Sequence, residues 1–262
     1  MLKIAVCVKQ VPAYSEGLMD PETGVMIRAG LESVLNVYDL PAIETALRIK
    51  EEAGALVDVF TMGPAKASAV LKEAYAMGAD RGYLVNDSCF SGADVLATSY
   101  TLMQAIQSTE DYHLILCGRQ TTDGDTAQVS GAIAKWLDIP HVNWVTEILH
   151  VAHDSITVRQ AMEEEIVTVK ATYPCLLSVE RSIFLPRLPS LKGKIAAKKK
   201  DINVLSLADM EDQEESHYGL TGSATKVEKI FPPAKTAQRD IIQKDSQEAA
   251  NYILEVIKKV NK

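Results

Sequence analysis

The chain has 262 residues, 47% hydrophobic and 24% charged, with a formal net charge of −8. That length buries one large core or two smaller ones, and the acidic balance argues against general nucleic-acid binding. No apolar run approaches the roughly 20 residues that cross a bilayer, so no membrane insertion is expected; the opening strand lacks a signal-peptide layout, and a cytoplasmic location is expected.

The predicted elements begin with a strand over Leu2–Val8. A loop follows, with turn signals at Pro12 and at Asp20-Pro21-Glu22-Thr23-Gly24, and a short strand over 25–28. A helix runs from about Tyr38 to Ala53 on the spacing Ala42, Ala46, Leu47 and Ile49, with Asn36 or Asp39 as its cap. Strand 55–62 ends at Gly63-Pro64, and helix 65–77 closes at Gly78. Strand 81–86 leads through a loop at 87–92 to helix 93–107, then strand 113–117 to a helix over 126–137. Such alternation predicts an α/β fold, a mostly parallel doubly wound sheet with helices on both faces. Ligands of these sheets bind beyond the carboxyl ends of the strands. The ends of interest are Cys7–Pro12, Met62–Pro64, Asn86–Gly92 and Gly118–Asp125.

After Pro140 the texture changes. Segments 145–151, 155–161, 165–171 and 175–180 are short and β-branched, and read as an antiparallel ribbon added to the sheet. From Leu185 to Lys200 the chain carries prolines, one glycine and many lysines. A connector over about 201–235 holds the acidic run Asp209–Glu215 and Pro232-Pro233. The stretch Gln238–Val260 predicts an amphipathic helix with Ile241, Ile242, Ala249, Ile253, Val256, Ile257 and Val260 as its stripe. That helix packs either on its own domain or on another chain. The division is a nucleotide-binding domain over 1–200 and a C-terminal extension over 201–262.

Catalytic groups are not conspicuous. Cys7, Cys89, Cys117 and Cys175 form no CxxC pair and stand at no metal-ligand spacing, so they read as reduced buried thiols. The five histidines sit at strand ends or loops, no Gly-x-Ser-x-Gly elbow occurs, and Glu163–Glu165 read as a solvated edge. Binding features without a nucleophile point to a carrier of a cofactor's chemistry. The most informative stretch is Cys117-Gly-Arg-Gln-Thr-Thr-Asp-Gly-Asp-Thr-Ala-Gln-Val129. A buried strand empties there into a small polar loop ahead of a helix, an arrangement that offers N–H groups to an anion. It has neither a Walker ending nor a GxGxxG. A tight turn with a helix cap is the competing reading.

These residues resemble the beta subunits of electron transfer flavoproteins. The likeness runs nearly the whole chain in order: Val8-Lys-Gln-Val-Pro12, Asn36-Val-Tyr-Asp39, Met62-Gly-Pro64, Ala76-Met-Gly-Ala-Asp80, the loop 117–129, and Arg187-x-Pro-Ser-Leu-Lys-Gly193 with Ala196-Ala-Lys-Lys-Lys200. The resemblance implies an adenine nucleotide alpha hydrolase-like fold and a heterodimer with an FAD-carrying alpha subunit. It implies an adenine nucleotide, FAD or AMP, held by Val6, Asn36, Asp39, Met62, Gly63 and the loop residues Gly118, Arg119, Gln120, Asp123, Gly124, Asp125, Thr126, Ala127, Gln128 and Val129. Phosphates are then expected over the Asp123–Thr126 amides, with the Asp123 and Asp125 carboxylates capping the turn or turned away.

Asp39 and the segment Phe90–Thr98 resemble the electron-bifurcating branch, which implies FAD here, NAD(H) nearby, and Asp94 and Thr98 close to the flavin. The usual Asn-Pro-Tyr-Asp is Asn36-Val-Tyr-Asp39 in this chain, which leaves the geometry of that loop open. In that branch NADH supplies two electrons, one passing to ferredoxin and one through the alpha-subunit FAD to a flavin-dependent dehydrogenase. Lys192–Lys200 matches the family's recognition loop, with Leu191 as the inserting side chain and Lys192 and Lys194 in its basic rim.

Overall fold

The computed structural model describes residues 1–13, 33–228, 241 and 243–260. The predicted strand at 25–28, Pro232-Pro233 and positions 238–240 and 242 lie outside them. Strand β1 (Lys3–Cys7) is central to the main sheet, and β2 (Gln10–Pro12) pairs antiparallel with β3 (Ser33–Leu35) in a small second sheet. Helix α1 (Leu40–Ala53) carries Pro41 in its first turn, where its fixed φ suits the helix, and stops at Gly54 in a left-handed conformation. Then come β4 (Leu56–Met62), α2 (Ser68–Met77), β5 (Arg81–Val85), α3 (Val95–Gln107), β6 (Leu114–Gly118) and α4 (Val129–Leu137). Strands β7 (His141–Val151), β8 (Ser155–Ala161), β9 (Ile166–Thr172) and β10 (Cys175–Val179) precede α5 (Leu191–Lys199), β11 (Asn203–Leu205) and α6 (Ser246–Val260).

The nine-stranded sheet has the order β11-β5-β4-β1-β6-β10-β7-β8-β9. From β11 to β7 neighbouring strands are parallel; β7-β8-β9 are antiparallel. Ile4 stands opposite Val57 and Leu114, and Cys7 opposite Phe60 and Cys117. The strand period of two then sorts side chains to two faces. Ile4, Val6, Val59 and Leu116 share one core with Ile43, Leu47 and Leu71 of α1 and α2. Ala5, Phe60, Ile115 and Cys117 share the other with Leu102, Ile106 and Ile133 of α3 and α4. Burial on both faces is why β1, β4 and β6 are nearly continuous apolar runs.

Four differences from the sequence reading have physical causes. Segment 175–180 is no part of the ribbon: β10 lies between β6 and β7, parallel to both, with all five residues buried. Its unbroken burial, with Ser178 the one polar residue among Cys175, Leu176, Leu177 and Val179, is the signature of a doubly covered strand. The connector is not free of regular structure, since β11 extends the parallel sheet beside β5, past the boundary drawn at 200. The recognition segment is a helix rather than a loop: Ser190 caps α5 by accepting from the Gly193 N–H at 2.9 Å. Finally, α4 begins at Val129, because Asp125 and Ala127 take φ of 52° and 54°, left-handed values that a right-handed helix cannot include. Among the described residues, no helix is long and apolar enough to cross a membrane.

Candidate functional site

Strands β1, β4, β5 and β6 end side by side, and the chain segments leaving them are stitched together. At the end of β6, a Cβ on Gly118 would run into the Asp39 carboxylate and the Tyr38 carbonyl, so only glycine lets the start of α1 come this close. Asp39 is the N-cap of α1, its carbonyl accepting from the Ile43 N–H at 3.0 Å, but its side chain makes no cap bond; the carboxylate accepts instead from the Lys9 backbone N–H at 2.8 Å. Asn36 donates from its backbone to the Lys9 carbonyl at 2.9 Å and from Nδ2 to the Gln120 carbonyl at 2.8 Å. Lys9 Nζ pairs with Asp123 at 2.8 Å. Gln120 Nε2 donates to Asp125 at 2.6 Å, and the Gly124 N–H donates to Asp123 at 2.8 Å. Lys9, Asn36, Asp39, Gly118, Gln120, Asp123, Gly124 and Asp125 are therefore one constellation.

Beyond it, Thr122–Gln128 is exposed. The left-handed residues Asp125 and Ala127 turn successive peptides in the manner of an anion-binding nest. The following N-terminus of α4 has no side-chain cap from Gln128. Its first N–H groups, from Val129 on, have no acceptor within the helix. Both loop carboxylates are engaged by the loop and by Lys9. Burial opposes ionisation of Asp123, but the Lys9 ammonium outweighs it and holds that carboxyl below its ordinary value. Asp39 goes the other way: burial pushes it up to about 7, against the pull of its hydrogen bonds from Lys9 and Asn36.

This donor set fits an adenine nucleotide. Asn36 Oδ1 is a buried acceptor with no partner among the described residues, suited to a base N–H. The α4 N-terminus suits phosphate. Arg119 adds a guanidinium held by Glu180 at 2.7 Å and lying 5.0 Å from the Trp144 ring, with a buried Nε that has no partner among the described residues. Met62 and Gly63 close the neighbouring strand end, where Gly63 accepts from Asn86 Nδ2 at 2.8 Å.

An electron transfer flavoprotein domain matches residues 23–210. The electron transfer flavoprotein subunit beta of Thermoanaerobacterium thermosaccharolyticum is 39% identical over 255 residues, covering 97% of each chain. The chain belongs to the electron transfer flavoprotein family. It is also similar to the caffeyl-CoA reductase–Etf complex subunit CarD of Acetobacterium woodii, 41% identical over 98% of each chain. The acryloyl-CoA reductase electron transfer subunit gamma of Anaerotignum propionicum is 35% identical over 97% of each.

Within this electron transfer flavoprotein chain, the other residues singled out from sequence are spread more widely. Val6 is fully buried one residue below the end of β1, paired in register with Val59 and Leu116. Asp94 and Thr98 open α3, the helix after β5, which packs on α4 with Trp136 Nε1 donating to Ser99 Oγ at 3.1 Å. Asp94 caps α3 through the Ala97 N–H at 3.1 Å, and its other oxygen accepts from the Thr225 N–H and hydroxyl at 2.9 Å each. Leu191, Lys192 and Lys194 lie on α5, which packs on α2, apart from the constellation. Two residues of the site escaped sequence reasoning: Lys9, the hub of the β1 end, and Glu180, which orients Arg119. Lys9 had a signal, standing within Val8–Pro12 just past β1; Glu180, 61 residues from its partner, had none.

Proposed function

We propose that this chain is the beta subunit of a cytoplasmic heterodimeric electron transfer flavoprotein, and that its strand edge holds FAD beside a site for NADH. The carrying observation is the Lys9–Asn36–Asp39–Gly118–Asp123 constellation in front of the nest and the α4 N-terminus. Bound there, the flavin supplies the two- and one-electron chemistry that links NADH to ferredoxin and to the alpha-subunit FAD. The protein's residues hold and tune it. Asn36 offers an acceptor to the base, the loop 123–128 and α4 receive the phosphates, and Lys9 and Arg119 place two positive charges around an anionic ligand. Burial, which pushes Asp39 up to about 7, lessens the negative charge that would otherwise offset that field.

The named relatives from CoA-reductase complexes support a flavin-dependent dehydrogenase acting on a CoA thioester as the second electron acceptor, docked through Leu191, Lys192 and Lys194. Counting nucleotides in the complex purified with its alpha subunit tests the assignment. Two FAD per heterodimer are expected, followed by NADH-dependent ferredoxin reduction when the dehydrogenase is added. One FAD and one AMP would replace this reading with a carrier whose beta-site nucleotide is structural.

A further inference from the structure

Segment 185–191 shows three leucines to solvent: Leu185, Leu188 and Leu191 are 89%, 91% and 77% exposed. Apolar side chains this bare stand in place only if the backbone beneath them is fixed, and Pro186 and Pro189 stiffen it without anchoring it. The anchor is Arg187. Its backbone N–H donates to Glu44 Oε2 at 3.1 Å, its Nε to the same oxygen at 2.8 Å and its Nη2 to Glu44 Oε1 at 3.2 Å. Its remaining guanidinium nitrogen reaches Glu51. Glu44 is buried on α1, although a carboxylate is costly to bury. Burial pushes its carboxyl up, yet the hydrogen bonds from Arg187 and Arg48 outweigh that and hold it below its usual value. Arg48 in turn lies 4.3 Å from the Phe184 ring, at the head of the same segment. On the other side of Leu191, a Cβ on Gly193 would collide with the Ala76 carbonyl, so α5 is pressed onto α2 there.

We propose that Glu44 and Arg187 are positioning residues for docking. Glu44 acts through Arg187 to hold the leucine-bearing strap in the shape that the dehydrogenase partner receives, which rests on the docking reading above. The contact surface is then the strip Leu185–Leu188–Leu191 with the α5 lysines as its rim. A fork is needed because a planar guanidinium reaches both oxygens of Glu44 and, at the same time, Glu51; lysine, a point charge, does not. The same helix that carries Glu44 begins beside Asp39, so α1 places the strap relative to the nucleotide edge.

The test uses the αβ complex and a flavin-dependent acyl-CoA dehydrogenase to which the wild-type complex binds measurably. Leu191→Ala first checks the docking reading: unchanged binding would remove that reading and the inference with it. With that control weakened, Arg187→Gln and Glu44→Gln are expected to raise the KM for the dehydrogenase at least tenfold, with kcat at saturation unchanged. Amide exchange over 184–191 should quicken, and nucleotide content should stay at the wild-type level. Arg187→Lys should behave like Arg187→Gln, since charge without the fork does not anchor the strap. Faster exchange with a KM within twofold of wild type would overturn the inference. So would full rescue by Arg187→Lys. If Arg187→Gln and Glu44→Gln fail to fold, Arg187→Lys carries the decision.

Discussion

Gly118 shows how one residue joins a strand to a binding edge. Its missing side chain is the space into which Asp39 and the Tyr38 carbonyl fit. Gly118→Ala forces either β6 or the start of α1 to move, because the Tyr38 carbonyl is backbone and has no rotamer to yield. Overpacking of this kind costs about 1–3 kcal/mol, and the upper end is expected here. Thermal unfolding of the variant, together with loss of bound nucleotide, checks it. Asp39 supplies a second measurement. The folded chain keeps its proton up to about 7, whereas the unfolded chain releases it near the ordinary aspartate value of 3.8. The contribution of Asp39 to stability is therefore full below about pH 4 and is lost as pH rises towards 7, at up to about 1.4 kcal/mol per pH unit. Asp39→Asn still accepts from the Lys9 N–H but does not titrate. The difference in urea midpoint between variant and wild type should grow, in favour of the variant, from pH 4 to pH 7. A difference that is flat across that window would show that Asp39 ionises normally.

At the scale of elements, the sequence was most legible where one force decided the outcome. β1, β4, β5 and β6 were readable because strands covered on both faces are largely apolar, and their ends announced the site. α1 was readable from helical spacing alone. β10 was misplaced because its neighbours in sequence are ribbon strands, and a local reading assigns it to them; only its unbroken burial against β6 separates it. β11 is three residues long, two of them exposed, and exists because β5 offers it an edge. α5 hid because Gly193 and a run of lysines argue against a helix, while the decisive Ser190 cap and the approach to Ala76 are matters of packing. In the site, Asn36, Asp39 and the 117–129 loop were legible as motif, but the Lys9 and Glu180 pairings join residues 114 and 61 positions from their partners. The start of α3 makes this distinction testable. Asp94 serves there as a cap and as the tether of Thr225. Asp94→Ala is expected to cost about 1–2 kcal/mol through the lost cap and to quicken amide exchange at Thr225. If Asp94 also approaches the flavin, Asp94→Asn, which retains capping ability, will keep the stability while changing the flavin absorbance spectrum. An unchanged spectrum would leave Asp94 a structural residue alone.

Among the described residues, α6 presents an apolar face that nothing buries. Ala249, Ile253, Val256, Ile257 and Val260 follow the three- and four-residue spacing of one helical face. None of them is buried, and Val260 is 78% exposed. The nine-stranded sheet does not need that face: both of its cores are filled by α1–α4, by the strands and by residues up to Tyr218, which is buried against Phe90 and Tyr100. An amphipathic helix that contributes nothing to its own core gains its stability from whatever covers it. Two outcomes therefore separate cleanly on ending the chain after Glu228. If α6 serves the alpha subunit, the shortened chain should unfold within about 2 °C of the full one, less than the shift that about 1 kcal/mol produces in a domain of this size. Its affinity for the alpha subunit should then fall at least tenfold, about 1.4 kcal/mol. A large drop in unfolding temperature with unaltered association would instead place α6 on its own domain. Since the strap at Leu185–Leu191 is anchored through α1, the shortened chain should retain its exchange protection there even when it no longer holds the alpha subunit, which separates the two surfaces of the molecule from each other.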